Sequence, residues 1–340
     1  MTDRRGVANS VARVTAVVAG AAGIAAGCGN GGADRVLTID ATGQVAGFVF
    51  FDQNGTRQFD ENVDRQLPGV AVHLALSATG TLVAQATSDS EGLFRVRGVP
   101  VGNYTIVVDS TTVGDSAQVV RVDTSAIRVD PEDSVGVTVA VSFPILTVAE
   151  AREVPVGEKI FVTGVALSPV VAFADSTLHL RDSTGSLRAT RVLSGTVSPG
   201  DSGRFLGRKS ISIGQPTIDG VTFFSLGSTA MPQPEQVTPI VAATADGGRL
   251  DAALVLIPSA VIRDTLRTQG GDYVMRAALD ETCILESCAV EVIVDVDLGL
   301  VLTQFVPGAS ISATGVLVPT SDVQQRWALK PRTGSDLRVL

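Results

Sequence analysis

Lysine is nearly missing from this sequence: three residues in 340, against twenty-three arginines. Histidine occurs twice, tryptophan once, and aromatic residues make up 4% of the chain. Long amphipathic helical windows are missing too. Each absence removes a class of function. The net charge is −9 and no basic stripe is present, so a phosphate backbone finds little to bind and nucleic acid is not an expected partner. Two isolated histidines, His73 and His179, supply neither a metal cluster nor a catalytic triad beside a nucleophile elbow. Both alternate with apolar neighbours, so both are expected to point outward from their strands. Phosphate-cradling glycine motifs are absent, and Gly270-Gly271 falls at a hairpin turn. Asp295 and Asp297 share a strand face by period two; they read as exposed strand charge rather than as acid and base. The expectation is a protein that is not an enzyme. A helical body, or a deep pocket converging on either histidine, would overturn it.

What is present is β-forming. Valine, threonine, serine and glycine abound, 45% of residues are apolar and 18% charged, and the length suits two or three globular domains. The class is therefore mainly β.

The first residues read as an address. Arg4, Arg5 and Arg13 precede a small apolar run from Val14 to Ile24, too short to span a membrane, and Ala25-Ala26-Gly27-Cys28 follows. This pattern describes a secretory signal peptide over 1–27. Small residues before a cysteine resemble a bacterial lipobox, with Ala25 where leucine is usual. Cys28 would then carry lipid and hold the chain at a membrane surface; the other reading is a plain signal peptide with an incidental cysteine. Residues 28–42 form a Gly-rich linker. Lipidation of Cys28 leaves Cys283 and Cys288, which flank four residues between two strand-like runs. In an export compartment they suit a disulfide; two inert thiols is the other reading, and a metal role lacks further ligands nearby.

The most organised stretch runs from Gly47 to Tyr104. Short period-two runs alternate with turns every 8–12 residues, as in an antiparallel sandwich. Val70, Val72, Leu74 and Leu76 share one face, Phe94 and Val96 repeat the pattern, and the runs 115–122 and 135–141 bring the count to seven strands. Between the first two runs lies an oxygen-rich loop. Asp52, Asn54, Thr56, Gln58 and Asp60 stand at alternate positions with Asp64 beyond, a spacing that can converge on a hard cation such as Ca²⁺. Arg57 stands where an EF-hand needs glycine, and Val63 where it needs glutamate. Two readings are open: a modest calcium site or a solvated polar hairpin.

Four motifs, Gly47-x-Val49-Phe50-x-Asp52-x-Asn54, Leu67-Pro68-Gly69-Val70-x-Val72-x-Leu74, Asp89-x-x-Gly92-x-Phe94 and Val99-Pro100-x-Gly102-x-Tyr104, resemble the SdrD B-like, Cna B-type and carboxypeptidase-regulatory-like repeats of bacterial surface proteins. The resemblance covers residues 43–143 and implies an immunoglobulin-like sandwich that often binds Ca²⁺ in this loop. Relatives sometimes carry a Lys–Asn isopeptide bond; this stretch has no lysine to make one.

Beyond Pro144 the run Leu146–Val165 holds a short helix-like piece, Val148–Glu153, and then a strand. Its Ala149-x-Ala151, Pro155-x-Gly157 and Gly164 resemble the opening of OB-fold modules in exported bacterial proteins. The hairpin 176–185 and the turn Ser198-Pro199-Gly200-Asp201 are followed by similar landmarks in similar order: Gly271 to Arg276, Val306-Pro307-Gly308, and Trp327 to Lys330. This implies two tandem OB-like barrels, 145–238 and 239–340, from an internal duplication. OB barrels bind oligonucleotides or oligosaccharides on one face. Phe223, Phe224, Tyr273 and Trp327 fit core packing better than a stacking face. Arg326, Lys330 and Arg332 form the best small cationic patch and read as a solvated strand end.

The chain is thus expected to be an all-β protein: an immunoglobulin-like (prealbumin/Cna B-type) β-sandwich followed by two five-stranded OB-like β-barrels. It reads as a non-enzymatic lipoprotein of the bacterial cell envelope, probed by its partners, a surface protein or a glycan, and anchored to the membrane through lipid. Structural or adhesive work comes first, carbohydrate binding second, nucleic-acid capture by the barrels last.

Overall fold

The computed structural model describes residues 41–340 apart from 174, 194–195, 281, 284–287 and 321–325. The expected signal peptide and Cys28 lie outside the described residues.

The chain is all-β, a sandwich followed by two closed barrels. The sandwich contains β1 (Thr42–Phe51), β2 (Arg65–Gln66), β3 (Ala71–Leu76), β4 (Leu82–Thr87), β5 (Leu93–Pro100), β6 (Gly102–Val108), β7 (Gln118–Val122), β8 (Ala126–Val129) and β9 (Ser134–Ser142). One sheet runs β2-β1-β9-β7 with β5 also on β1; the other runs β4-β3-β6-β8. First and last strands pair in parallel, from Gln44 opposite Ser134 to Phe51 opposite Val141. Alternation sets the faces. Val45, Val49 and Phe51 of β1 meet Val72, Leu74 and Ile106 of the other sheet in one core. Phe48 and Phe50 point the other way, and Phe59 of the following loop folds back edge-on to both, at 4.9 and 5.4 Å. There are nine strands where seven were expected. Among the strands that were not read, β2 and β8 are too short to show a period.

The first barrel follows with β10 (Ile145–Leu146), α1 (Val148–Glu153), β11 (Lys159–Ala166), β12 (Leu178–Arg181), β13 (Ser186–Thr190), β14 (Asp201–Ser212) and β15 (Gln215–Ser228). Its order is β11-β12-β13-β15-β14, closed by pairing of β14 with β11. The second repeats it with β16 (Glu235–Gln236), α2 (Pro239–Thr244), β17 (Leu254–Arg267), β18 (Tyr273–Ala278), β19 (Ala289–Val294), β20 (Ser310–Pro319), β21 (Trp327–Lys330) and one extra strand, β22 (Leu337–Val339). Its order is β17-β18-β19-β21-β20, closed by β20 on β17. The two barrels share one strand order, each with a short parallel edge strand and a helix in front of it.

Local sequence explains these pieces. Thr147 and Glu150 form a reciprocal capping box that starts α1. Buried Lys209 ends it, donating from Nζ to the carbonyls of Ala151 and Arg152 at 3.0 and 2.8 Å. Gly315 lets β20 cross β21 closely: a Cβ there would lie 2.4 Å from the Lys330 carbonyl oxygen.

Three surface expectations are corrected. Asp295 is buried at 7% exposure; it follows β19, caps a short turn by accepting from the Asp297 N–H at 3.1 Å, and pairs with Lys330 at 3.6 Å. Lys330 and Arg332 therefore form no solvated cationic patch. Arg332 pairs with Asp336 and donates to the Leu167 carbonyl of the other barrel at 2.8 Å. His179 is wholly buried. Trp327 and Tyr273 do pack as expected, the first within the second barrel's core and the second against it.

Candidate functional site

The loop between β1 and β2 holds the six expected cation ligands. Asp52 is wholly buried: Oδ1 accepts from the Thr56 N–H at 3.1 Å and Oδ2 from the Arg57 N–H at 2.8 Å. Asp64, 8% exposed, accepts from the N–H groups of Gln53 and Asp60 at 2.8 and 2.9 Å. Asn54 Oδ1 accepts from the Thr56 N–H, and Asp60 Oδ1 from the Asn62 N–H. Thr56 Oγ1 donates to the Gln58 carbonyl at 3.1 Å. These are turn-stabilising bonds within the loop. Asn54, Thr56, Gln58 and Asp60 line an open depression, while Asp52 and Asp64 do not reach its walls. Among the described residues, no three acidic, histidine or cysteine side chains gather as a metal cluster. The loop does concentrate negative charge. The Asp64 carboxyl is pushed up by burial, against the pull of its two amide donors, and neighbouring Asp52 and Asp60 push it further. No basic side chain pairs with Asp52 or Asp64 among the described residues.

Sequence reading did not place this loop, which sits at the seam between sandwich and first barrel. Arg204 of β14 donates to the Asn54 carbonyl at 3.2 Å, across 150 positions of sequence. Gly55 has φ +74°, and a Cβ there would lie 2.9 Å from Arg204 Cδ. Beside the loop an aromatic chain crosses the seam: Phe51 to Phe143 at 5.1 Å, Phe143 to Phe161 at 6.5 Å, and Phe161 to Phe224 at 6.0 Å. Lys159 Nζ lies 4.8 Å from the Phe143 ring centre.

The second seam joins the two barrels. Leu167, Ala172 and Phe173 of the first pack with Leu254 and Val316 of the second. Arg152 of α1 reaches Asp251 at 3.3 Å, and Asp251 also accepts from Trp327 Nε1 at 2.8 Å. Burial raises the Asp251 carboxyl, and Trp327 and Arg152 act the other way.

Beside this seam opens a cleft of ≈ 370 Å³, lined by Asp175, Thr177, His179 and Arg188 of the first barrel and Glu291 and Lys330 of the second. His179 stands in β12 directly opposite Arg188 of β13, while its neighbours Leu178 and Leu180 fill the barrel core. The alternation is as the sequence has it; the exposure is not, because the second barrel covers that outer face. Burial, with Arg188 and Lys330 nearby, pushes the His179 pKa down to about 3. His179 N–H donates to Ser168 Oγ at 3.1 Å, and the same hydroxyl lies 3.4 Å from Nδ1. This pair orients the ring. A base held so far below its ordinary value cannot take the serine proton at neutral pH, and Ser168 does not line the cleft. One signal in the sequence pointed here: a histidine and an arginine on the outer faces of one hairpin. Nothing local says that this face is covered.

Cys283 and Cys288 are joined in a disulfide between β18 and β19.

No protein-family model matches the chain, and no curated protein matches it. Among solved structures, it is similar over 30% of its length to the minor pilin GBS52 of Streptococcus agalactiae (17% identity, 45% of that chain, TM-score 0.24). It is similar over 85% of its length to the TIE protein of Bacillus anthracis (11% identity, 49% of that chain, TM-score 0.24). The shaft pilin SpaA of Lactobacillus rhamnosus GG is similar over 56% of this chain and 100% of its own (11% identity, TM-score 0.21). The chain thus spans less than half the length of the first two. At these scores the fold description rests on the chain's own strand pairings.

Proposed function

We propose that this chain is a non-enzymatic structural or adhesive module of the bacterial cell envelope, exported and held at the membrane by lipid on Cys28. The observation that carries the reading is how the β bodies are joined. Packed seams replace linkers at both junctions: an aromatic chain with a clasping loop at one, an apolar cluster with a half-buried ion pair at the other. Bodies fixed in this way hold a binding surface in place instead of moving around a reaction centre. The partner would be a surface protein or a glycan.

Calcium belongs to this proposal. Asn54, Thr56, Gln58 and Asp60, which line one depression, would offer the ion oxygens, and it would relieve the repulsion acting on Asp64, which with Asp52 stands behind them as buried negative charge. Since the oxygens of Asp52 and Asp64 already accept backbone amides, the loop folds without it, and calcium would tighten the first seam rather than build it.

The test is mass spectrometry of the mature N-terminus from a bacterial host. A lipid-modified Cys28 at the first position is expected, with Cys28→Ser released from membranes. An unmodified N-terminus, or a Cys28→Ser protein that stays with the membrane, overturns the anchoring part of the proposal. Binding of wild-type protein to surface proteins or glycan arrays tests the rest; turnover of any captured glycan would contradict it.

A further inference from the structure

We infer that the cleft between the two barrels is a binding site for a small monocarboxylate, a role separate from surface adhesion. The argument starts from missing partners. His179 is wholly buried, lines the cleft, and its Nε2 has no hydrogen-bond partner among the described residues. Arg188 lines the same cleft beside it, and its Nε is likewise buried without a partner.

The chemistry of those two groups fixes what is missing. Ser168 Oγ accepts the His179 backbone N–H and lies 3.4 Å from Nδ1. We assign the Ser168 hydrogen to Nδ1, which leaves the ring proton on Nε2 and makes it a donor without a partner among the described residues. Arg188 Nε–H is a donor in every state. Its guanidinium uses Nη2 on the Ser212 carbonyl at 3.3 Å. It forms no salt bridge among the described residues. Two buried donors side by side, one on a cation that feels Asp175 and Asp251 but touches neither in a salt bridge, call for an oxygen acceptor with a single negative charge.

The rest of the lining selects among anions. Asp175 and Glu291 also face the cleft and oppose a second negative charge. Lys330 is already committed to Asp295 at 3.6 Å. Phe173, Ile293 and Val318 supply an apolar wall for a hydrocarbon body. One negative charge on a planar oxygen pair, joined to an apolar group, matches that set; a phosphate, with its higher charge, does not.

The experiment is calorimetric titration of the purified protein with benzoate, butyrate and inorganic phosphate, alongside histidine-selective NMR of the Nε2–H resonance. The expected result is saturable binding of a monocarboxylate, a shift of the His179 Nε2–H signal, and affinity about tenfold weaker in Arg188→Gln. Arg188→Lys, which keeps the charge but not the fork, should fall between the two. Should His179→Gln fail to fold, the wild-type resonance and the two Arg188 variants still decide. Failure of both carboxylates to bind at millimolar concentration, binding of phosphate alone, or a wild-type affinity in Arg188→Gln would each overturn the inference. None of these outcomes depends on whether Cys28 is lipidated.

Discussion

The two seams of this molecule solve one problem differently. Where the sandwich meets the first barrel, rings meet edge-on or tilted from Phe51 to Phe224, and a loop is clasped through the Asn54 carbonyl. Where the barrels meet, a smaller apolar cluster is accompanied by the Arg152–Asp251 pair and by a cleft that His179 and Arg188 line. An apolar seam fastens. A seam holding buried charges and unpartnered donors costs stability, and such a cost is characteristic of sites that bind. The comparison therefore leaves fastening to both junctions and, on our inference, adds recognition at the second.

Five perturbations sharpen it, from the largest effect to the smallest. Phe161→Ala removes the ring at the centre of the first seam, which is wholly buried, and should cost about 4 kcal/mol by urea unfolding. A loss near that of an exposed residue would mean the seam does not fasten. At the second seam, Asp251→Ala strips Arg152 and Trp327 of their shared acceptor and should cost about 3 kcal/mol on the same measurement.

Acid acts on the second seam through His179. Unfolded chain binds the His179 proton near the ordinary 6.5, folded chain only near about 3. Between those values the unfolded state holds more protons, so stability falls as pH falls, by about 1.4 kcal/mol per pH unit from this residue. The window opens below pH 6.5 and the slope should flatten in His179→Gln, which removes the titrating group.

Reducing Cys283–Cys288 removes a cross-link between residues five positions apart and should lower stability by about 2 kcal/mol in the chain-entropy model. Calcium against chelator should move the melting temperature least, equivalent to about 1.4 kcal/mol with free ion tenfold above its Kd. That gain should vanish in Asp64→Asn. No difference between calcium and chelator would remove the ion from the account of the first seam.

What could be read from the sequence followed the same divide. Period two gave the β3 and β5 faces correctly, and the landmarks from Leu146 to Val165 carried the first barrel's opening. The spacing of Cys283 and Cys288 between two strands gave the disulfide. These are signals within one body, where neighbours in sequence decide the packing. The loop of Asp52 to Asp64 was legible as a polar loop but not as a clasp, because its partner Arg204 lies 150 positions away. His179, Asp295 and Arg332 failed for the same physical reason. Alternation tells which way a side chain leaves its strand; it cannot tell whether another body or a capped turn waits there. β2 and β8 were missed because two and four residues carry no period.

The most direct measurement is histidine-selective NMR across a pH titration of the intact protein. The account predicts that His179 stays neutral, with its proton on Nε2, well below the ordinary 6.5 and for as long as the protein remains folded. A His179 ring that titrates near 6.5 in folded protein would mean that the second barrel does not cover it, and the division of labour between the seams would be wrong.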